Sequence, residues 1–257
     1  MSEQKRSPLV ALPALLLVVV SLWEVCATRR DAGAVPGDDA WVRAAKIVRA
    51  AYRPGDLIMF APGWEDPVGR MHLGDLIPIE AAARDDVAPY ARIWELSTRG
   101  AHAPEVAGLT LAEEREDDVT VRRYEHAPAV IVADAREHVP AGATLQLAEV
   151  GFAPHRCLQA TPVPKKPVVL TFPQLPLGSE LVGYVGLADV FTRRDIRAPG
   201  HLRVAIGGKE IASATPGVDD GWVRFAAPTT PGPADVVVTL EADAWQRNLC
   251  FSLTARR

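Results

Sequence analysis

Residues 61–75 (APGWEDPVGRMHLGD) are the strongest site candidate in the chain, with Trp64, Glu65, Asp66, Arg70, His72 and Asp75 inside one stretch. An indole such as Trp64 can stack on the apolar face of a sugar ring while Asp66, Arg70 and His72 hydrogen-bond its hydroxyls. In the competing reading Trp64 fills the core of a small domain and Asp66 pairs with Arg70 on a solvated loop. Asp66, His72 and Asp75 are metal-ligand types, but their spacing matches no recognised site, so no metal and no other cofactor is expected. Glu65 and Asp66 do not suit a glycosidase pair. Neighbours on an extended chain point to opposite sides, whereas such a pair must converge on one bond from two directions.

A second polar group follows a little later. Ser97-Thr98-Arg99-Gly100-Ala101-His102 ends an apolar run, and Arg99 and His102 offer donors to the same cleft or form a polar strand-to-helix turn. Further on, Tyr184, Asp189, Phe191, Arg193, Arg194 and Asp195 combine aromatic, acidic and guanidinium groups. They could grip hydroxyls or a carboxylate, or divide between core and solvated rim. Trp222 follows Asp220-Gly221 and reads as a buried strand start. Trp245 and Arg247 could form an exposed stacking pair. His155-Arg156 beside Cys157 does not make a thiol enzyme, because no orienting residue is nearby and a bridged cysteine is no nucleophile. No catalytic residue is assigned, and the balance leans away from an enzyme.

The elements that must position these groups fall into two parts. Residues 38–51 begin with Asp38 and Asp39, end with bases, and place Trp41, Ala44, Ala45, Val48 and Ala51 on one helical face. Leu57–Phe60 and Arg92–Ser97 read as buried strands, residues 104–116 as a helix and Asp118–Tyr124 as a third strand. That order predicts a small α/β unit with a parallel sheet over 38–126, in which the 61–75 loop follows a strand's carboxyl end, where open sheets bind ligands. From 127 to 257 no helix is apparent. Eight β-rich runs (129–133, 144–149, 168–172, 180–187, 201–206, 222–226, 235–241 and 248–255) alternate with turns, which predicts an antiparallel sandwich or jelly roll. The fold class is thus two-part α+β.

Residues 5–27 precede both parts. Lys5 and Arg6 are followed by a 15-residue apolar run from Leu9 to Trp23, then Val25-Cys26-Ala27. This is the layout of an export signal. Residues 1–27 read as a cleaved signal peptide or an uncleaved membrane anchor, and 28–37 as a polar linker. The expected location is the cell envelope, either anchored with extracytoplasmic domains or released. Only Cys157 and Cys250 lie beyond the leader. In an oxidising compartment they form one bridge between the early and last strands of the sandwich, the alternative being two buried thiols. The net charge of −4, from 28 basic and 32 acidic residues, gives no reason to expect nucleic acid as a partner.

Two resemblances add to this reading. Tyr52-Arg53-Pro54-Gly55-Asp56-Leu57-Ile58-Met59-Phe60 and Tyr90-Ala91-Arg92-Ile93-Trp94-Glu95-Leu96-Ser97 are similar to elements in the soluble extracytoplasmic tail of dolichyl-phosphate-mannose mannosyltransferase-like membrane glycosyltransferases. In that family the catalytic acids lie between many membrane helices, so none carries over. The resemblance implies an accessory piece of a saccharide pathway. Residues 127–257 resemble, by strand count and aromatic placement, carbohydrate-binding and galactose-binding-like jelly rolls. The expectation is an exported, non-catalytic protein whose sandwich binds carbohydrate or protein. Its expected partners are the membrane through an uncleaved N-terminal helix, a saccharide, or a membrane glycosyltransferase. The alternative is an envelope glycan-modifying or glycosyltransferase-related enzyme working through the 61–75 loop.

Overall fold

A computed structural model describes residues 12–33, 35–82, 84–189 and 197–257. Lys5, Arg6 and the start of the apolar run lie outside these, as do Phe191 and Arg193–Asp195 of the third polar group. Helix α1 (Leu12–Gly33) runs through the expected cleavage position at Ala27. Its leucines and valines from Leu15 to Val25 are exposed. Glu24, Arg29 and Arg30 interrupt its apolar character, and among the described residues no helix is long and apolar enough to cross a membrane.

Helix α2 (Asp38–Ala51) starts after Gly37, with Asp38 and Asp39 in the first turn and Arg49 in the last, the charge order its dipole favours. Ala40, Trp41, Ala44, Ala45 and Val48 are buried, while Ala51 is exposed. The chain then turns through Gly55, whose φ of +91° suits a residue without Cβ. Strand β1 (Leu57–Ala61) is buried throughout and pairs in parallel with β2 (Arg92–Ser97), Leu57 opposite Ile93 and Ala61 opposite Ser97.

The expectation of a parallel sheet is corrected here. β2 pairs antiparallel with β4 (Thr120–Glu125), and β4 pairs antiparallel with β3 (Thr110–Arg115), so the sheet order β1-β2-β4-β3 holds one parallel pair. The helix expected over 104–116 is absent. Pro104–Val106 makes a single 3-10 turn and the chain re-enters the sheet as β3. Gly108 at φ +81° breaks any helical continuation, and Thr110–Arg115 finds β4 as a hairpin partner. The 61–75 stretch is not an open loop either. A 3-10 turn (Gly63–Glu65), helix α3 (Asp66–Leu73) and a second 3-10 turn (Gly74–Leu76) occupy it. Pro67 in the first turn of α3, with Asp66 at its start and Arg70 and His72 in its last turn, is sound helix chemistry hidden by the glycines around it. A short helix, α4 (Ile79–Ala82), follows.

Beyond residue 126 the structure is a two-sheet sandwich of ten strands among the described residues: β5 (Ile131–Asp134), β6 (Thr144–Val150), β7 (Ala153–Ala160), β8 (Val168–Leu177), β9 (Glu180–Ala188), β10 (Gly200–Ile206), β11 (Lys209–Ala214), β12 (Val223–Pro228), β13 (Gly232–Ala242) and β14 (Asn248–Arg256). One sheet runs β11-β10-β13-β8. The other runs β12-β9-β14-β7-β6, with β5 also on β14. β7 and β11 were not foreseen. β7 carries Pro154, His155 and Arg156 near its start, and Lys209–Ala214 holds a single large apolar residue, Ile211, so neither shows clear strand alternation in sequence.

Strand β14 explains the sandwich's layering. Leu249, Phe251, Leu253 and Ala255 point into the core between the sheets, with Leu158, Phe172, Val185, Leu202, Val238 and Leu240. Each such leucine or phenylalanine contributes roughly 1.5–3 kcal/mol by leaving water. The alternate residues Cys250, Ser252, Thr254 and Arg256 face outward, yet they too are buried. Cys250 is bridged to Cys157 on β7, with Cα atoms 5.5 Å apart across 93 residues. This is the pairing the sequence suggested. Ala148, Val150, Ala188 and the bridge make a small second cluster against Trp222. The rest of the outer face is covered by residues 84–90, which connect α4 to β2.

Candidate functional site

The ends of β1 and β2 are tied together. The Thr98 backbone N–H donates to the Ala61 carbonyl at 3.0 Å, and the Thr98 hydroxyl donates to Glu65 Oε1 at 3.1 Å. Glu65 is buried by this arrangement. It fixes the start of α3 against the turn after β2, and a cleft of about 710 Å³ opens beside them. Gly63, Asp66 and Arg70 form one wall, His102 and Glu105 another, and Arg84 joins from the segment after α4. The sandwich closes the cleft with Phe152, Ala153 and Pro154 from the β6–β7 turn.

Three of the six residues singled out from sequence therefore line one cleft: Asp66, Arg70 and His102. Asp66 and Arg70 are joined by two bonds, Nε to Oδ2 at 2.5 Å and Nη2 to Oδ1 at 3.1 Å. This is the pairing the sequence offered as the plain alternative, and it still presents two polar planes to the cleft. Trp64 is neither core nor a wall of the cleft; it projects from the 3-10 turn, 63% exposed. His72 faces away, stacked on Trp41 with ring centroids 6.2 Å apart and its Nε2 3.4 Å from Asp38. Arg99 is exposed at φ +54° in the turn after β2 and does not line the cleft. Asp75 is taken by Arg49, at 2.6 and 2.8 Å.

Behind His102 stands a group that sequence reading missed. Glu95, in the middle of β2, is wholly buried. Its Oε1 accepts from the Ala103 backbone N–H at 2.6 Å, and its Oε2 lies 3.2 Å from the Tyr124 hydroxyl, 3.4 Å from Arg122 Nη1 and 3.3 Å from His102 Nδ1. Arg122 also donates to Ser97 Oγ at 2.6 Å and to Glu114. Burial, together with the charge and hydrogen bond of Glu95, pushes the Tyr124 hydroxyl up to about 12, so it stays a donor. The imidazole of His102, 55% exposed, is thus held from behind by a buried carboxylate while its other edge faces the cleft. A glutamate inside an otherwise apolar strand was the available signal. Phe152, Arg84 and Glu105 were also missed. They come from three segments that meet only in the fold. Phe152 is 73% exposed and has φ +69°, as a hairpin turn demands.

The remaining described sequence candidates do not line the cleft. Tyr184 is buried, and its hydroxyl donates to Asp86 Oδ2 at 2.7 Å. Trp222 stacks between it and His155, with centroids 6.1 and 4.4 Å away. Trp245 is exposed, but Arg247 is buried, so they do not form an exposed pair.

No protein-family model matches the sequence and no curated protein does, so neither speaks for the mannosyltransferase-like likeness of residues 38–126. Among solved structures, the carbohydrate-binding module CBM51-2 with GlcNAc and INT domains from Clostridium perfringens ZmpB aligns at a TM-score of 0.37 and 7% identity. It covers 58% of this chain and 40% of its own. The module CBM6cm-2 of Cellvibrio mixtus lichenase 5A, in complex with cellotriose, aligns at 0.34 and 12% identity over 50% of this chain and all of its own. The CBM51 of a Clostridium perfringens GH95 protein, with methyl-galactose, aligns at 0.32 and 9% identity over 58% and 97%. This chain spans well under two thirds of the first of these. At such scores the likeness carries no argument about site or ligand.

Proposed function

We propose that this is an exported, non-catalytic saccharide-binding protein whose binding site is the cleft between the ends of β1 and β2 and the β6–β7 turn. One observation carries the reading: an exposed aromatic ring, Phe152, and pre-paired polar side chains, Asp66–Arg70 and Glu95-backed His102, line a single cleft of about 710 Å³. Small-molecule sites run from roughly 300 to 1,000 Å³ and combine apolar surface with a few fixed polar groups. Sugars need this mixture, since their rings present an apolar face and a rim of hydroxyls. Export is supported by the basic start, apolar run and small residues over 5–27, and it fits an oxidised Cys157–Cys250 pair. An accessory role in envelope saccharide metabolism follows from that location. Calorimetry against envelope sugars, with His102→Ala and Phe152→Ala in parallel, tests the site. Saturable binding that both substitutions weaken at least tenfold is expected. A folded protein that binds no sugar defeats the proposal.

The geometry of His102 favours one alternative, a glycan-modifying enzyme. An imidazole braced by a buried carboxylate and facing a cleft is the arrangement of a general base, with Arg70 available to stabilise developing negative charge. Turnover of an envelope glycan that His102→Ala abolishes, with binding retained, would favour this reading over the first.

A further inference from the structure

The outward face of α3 is apolar. Trp64, in the 3-10 turn that leads into the helix, and Val68 and Met71 within it stand at i, i+4 and i+7. All three are exposed, Met71 at 80%. They lie opposite Gly69 and Leu73, which are buried, Gly69 against Phe60 of β1. The charges bordering this face are matched: Arg70 with Asp66, Arg49 with Asp75, and His72 beside Asp38. An apolar patch rimmed by paired groups leaves water without stranding a charge.

Helix α1 shows what kind of surface lies nearby. Six successive side chains, from Leu15 to Val20, are exposed, and at about 100° per residue they cover every side of the helix. A protein groove covers one side of a helix, whereas lipid covers all of them. Glu24, Arg29 and Arg30 then mark where the helix leaves apolar surroundings. From there the chain leads straight to α3. Residues 34–37 alone separate α1 from α2, a span of at most about 18 Å. At the head of α2, Asp38 Oδ1 lies 3.4 Å from His72 Nε2 on α3. The tether therefore joins the folded part next to the sequence neighbour of Met71.

We propose that the face made by Trp64, Val68 and Met71 rests in the headgroup–acyl boundary of a membrane, as a second contact beside an uncleaved α1. Indole rings favour that depth because one side is apolar and the N–H stays wet. A short helix lying in the interface plane with its apolar side down is a stable way to hold a folded domain there. The inference makes no use of the saccharide reading. It does require that α1 is retained.

The test uses the full chain in phosphatidylcholine vesicles, with and without acyl chains brominated near the glycerol, which quench tryptophan on contact. The Trp64 share of the fluorescence is the difference between the parent protein and Trp64→Phe. The Trp23 share comes from Trp23→Phe in the same way. Both shares are expected to fall at least twofold in brominated vesicles. Val68→Glu combined with Met71→Glu should restore the Trp64 share and leave that of Trp23 quenched. Quenching of Trp23 alone overturns the proposal, because α1 is then the sole contact. A Trp64 shielded from aqueous iodide yet untouched by bromine overturns it too, with α1 or a second copy as the cover. Quenching of neither residue also overturns it. If Trp64→Phe does not fold, the double glutamate variant decides: total quenching equal to that of the parent rejects the face.

Discussion

The Trp94 indole N–H donates to Asp56 Oδ2 at 2.8 Å, both side chains being buried. The same carboxylate oxygen accepts from the Arg53 backbone N–H at 3.0 Å and lies 3.4 Å from Arg92 Nη2. The guanidiniums of Arg92 and Arg123 sit 5.7 and 5.6 Å from the indole ring. The Gly-Asp of residues 52–60 and the tryptophan of residues 90–97 therefore meet in one structural bond that locks the turn before β1 to β2. Asp56→Ala strands the indole N–H and the Arg53 amide. It should cost about 2–4 kcal/mol, from unsatisfied donors at roughly 1–3 kcal/mol each. Urea unfolding followed by tryptophan fluorescence measures it. Sugar affinity should stay within about twofold, since Asp56 lies off the cleft; a selective loss of binding would contradict that placement.

Removing the bridge with Cys157→Ser and Cys250→Ser should lower stability by about 4–5 kcal/mol, the loop-closure value for a crosslink of this span. Thermal unfolding with and without reductant checks it. Reductant should lower the Tm of the parent protein and leave that of the double variant unchanged.

His155 makes stability depend on pH. Burial, with the Arg84 charge added, pushes its imidazole down to about 4, so the folded protein refuses a proton that the unfolded chain takes up below about 6.5. The stabilising contribution is complete above about pH 6.5 and is lost as pH falls toward 4. It amounts to roughly 3 kcal/mol over the window. Asp85 has the opposite sign: its raised carboxyl favours the folded state at low pH, and that benefit is lost as pH rises through the folded pKa. Denaturant midpoints at a series of pH values should rise between 4 and 6.5 in the parent and flatten in His155→Gln. Parallel curves for the two proteins would show that His155 is not the source.

Gly69 is the point where α3 lies on β1. A Cβ there would stand 2.0 Å from the Phe60 ring. Gly69→Ala should destabilise by about 1–3 kcal/mol through overpacking and, because Phe60 also lines the cleft, weaken sugar binding. Unchanged stability with unchanged affinity would mean that α3 can slide without consequence.

Much of the scaffold could be read in the residues themselves. The face of α2, the strands 57–61 and 92–97, the sandwich and the bridge all follow from periodicity and residue type. What could not be read was set by non-local partners. Thr110–Arg115 becomes a strand because β4 offers it an edge, not because its own residues demand it. The site divided in the same way. Asp66 and Arg70 were visible because helical spacing joins them. His72 misled because its neighbour in space is Trp41. Phe152 belongs to the cleft only because the β6–β7 turn faces α3 there, and Glu95 acts on the cleft only through His102.

The surface that the sandwich offers to residues 84–90 is made of Tyr184, Ser252, Thr254 and Arg256, with Asp134 and Arg136 alongside. It is a hydrophilic floor, not a greasy one. Lifting the α/β part away would wet groups that water serves well, so separation need not invite aggregation. Asp86 Oδ2, which accepts from both Tyr184 and Arg256, is the polar clasp at the centre of that floor.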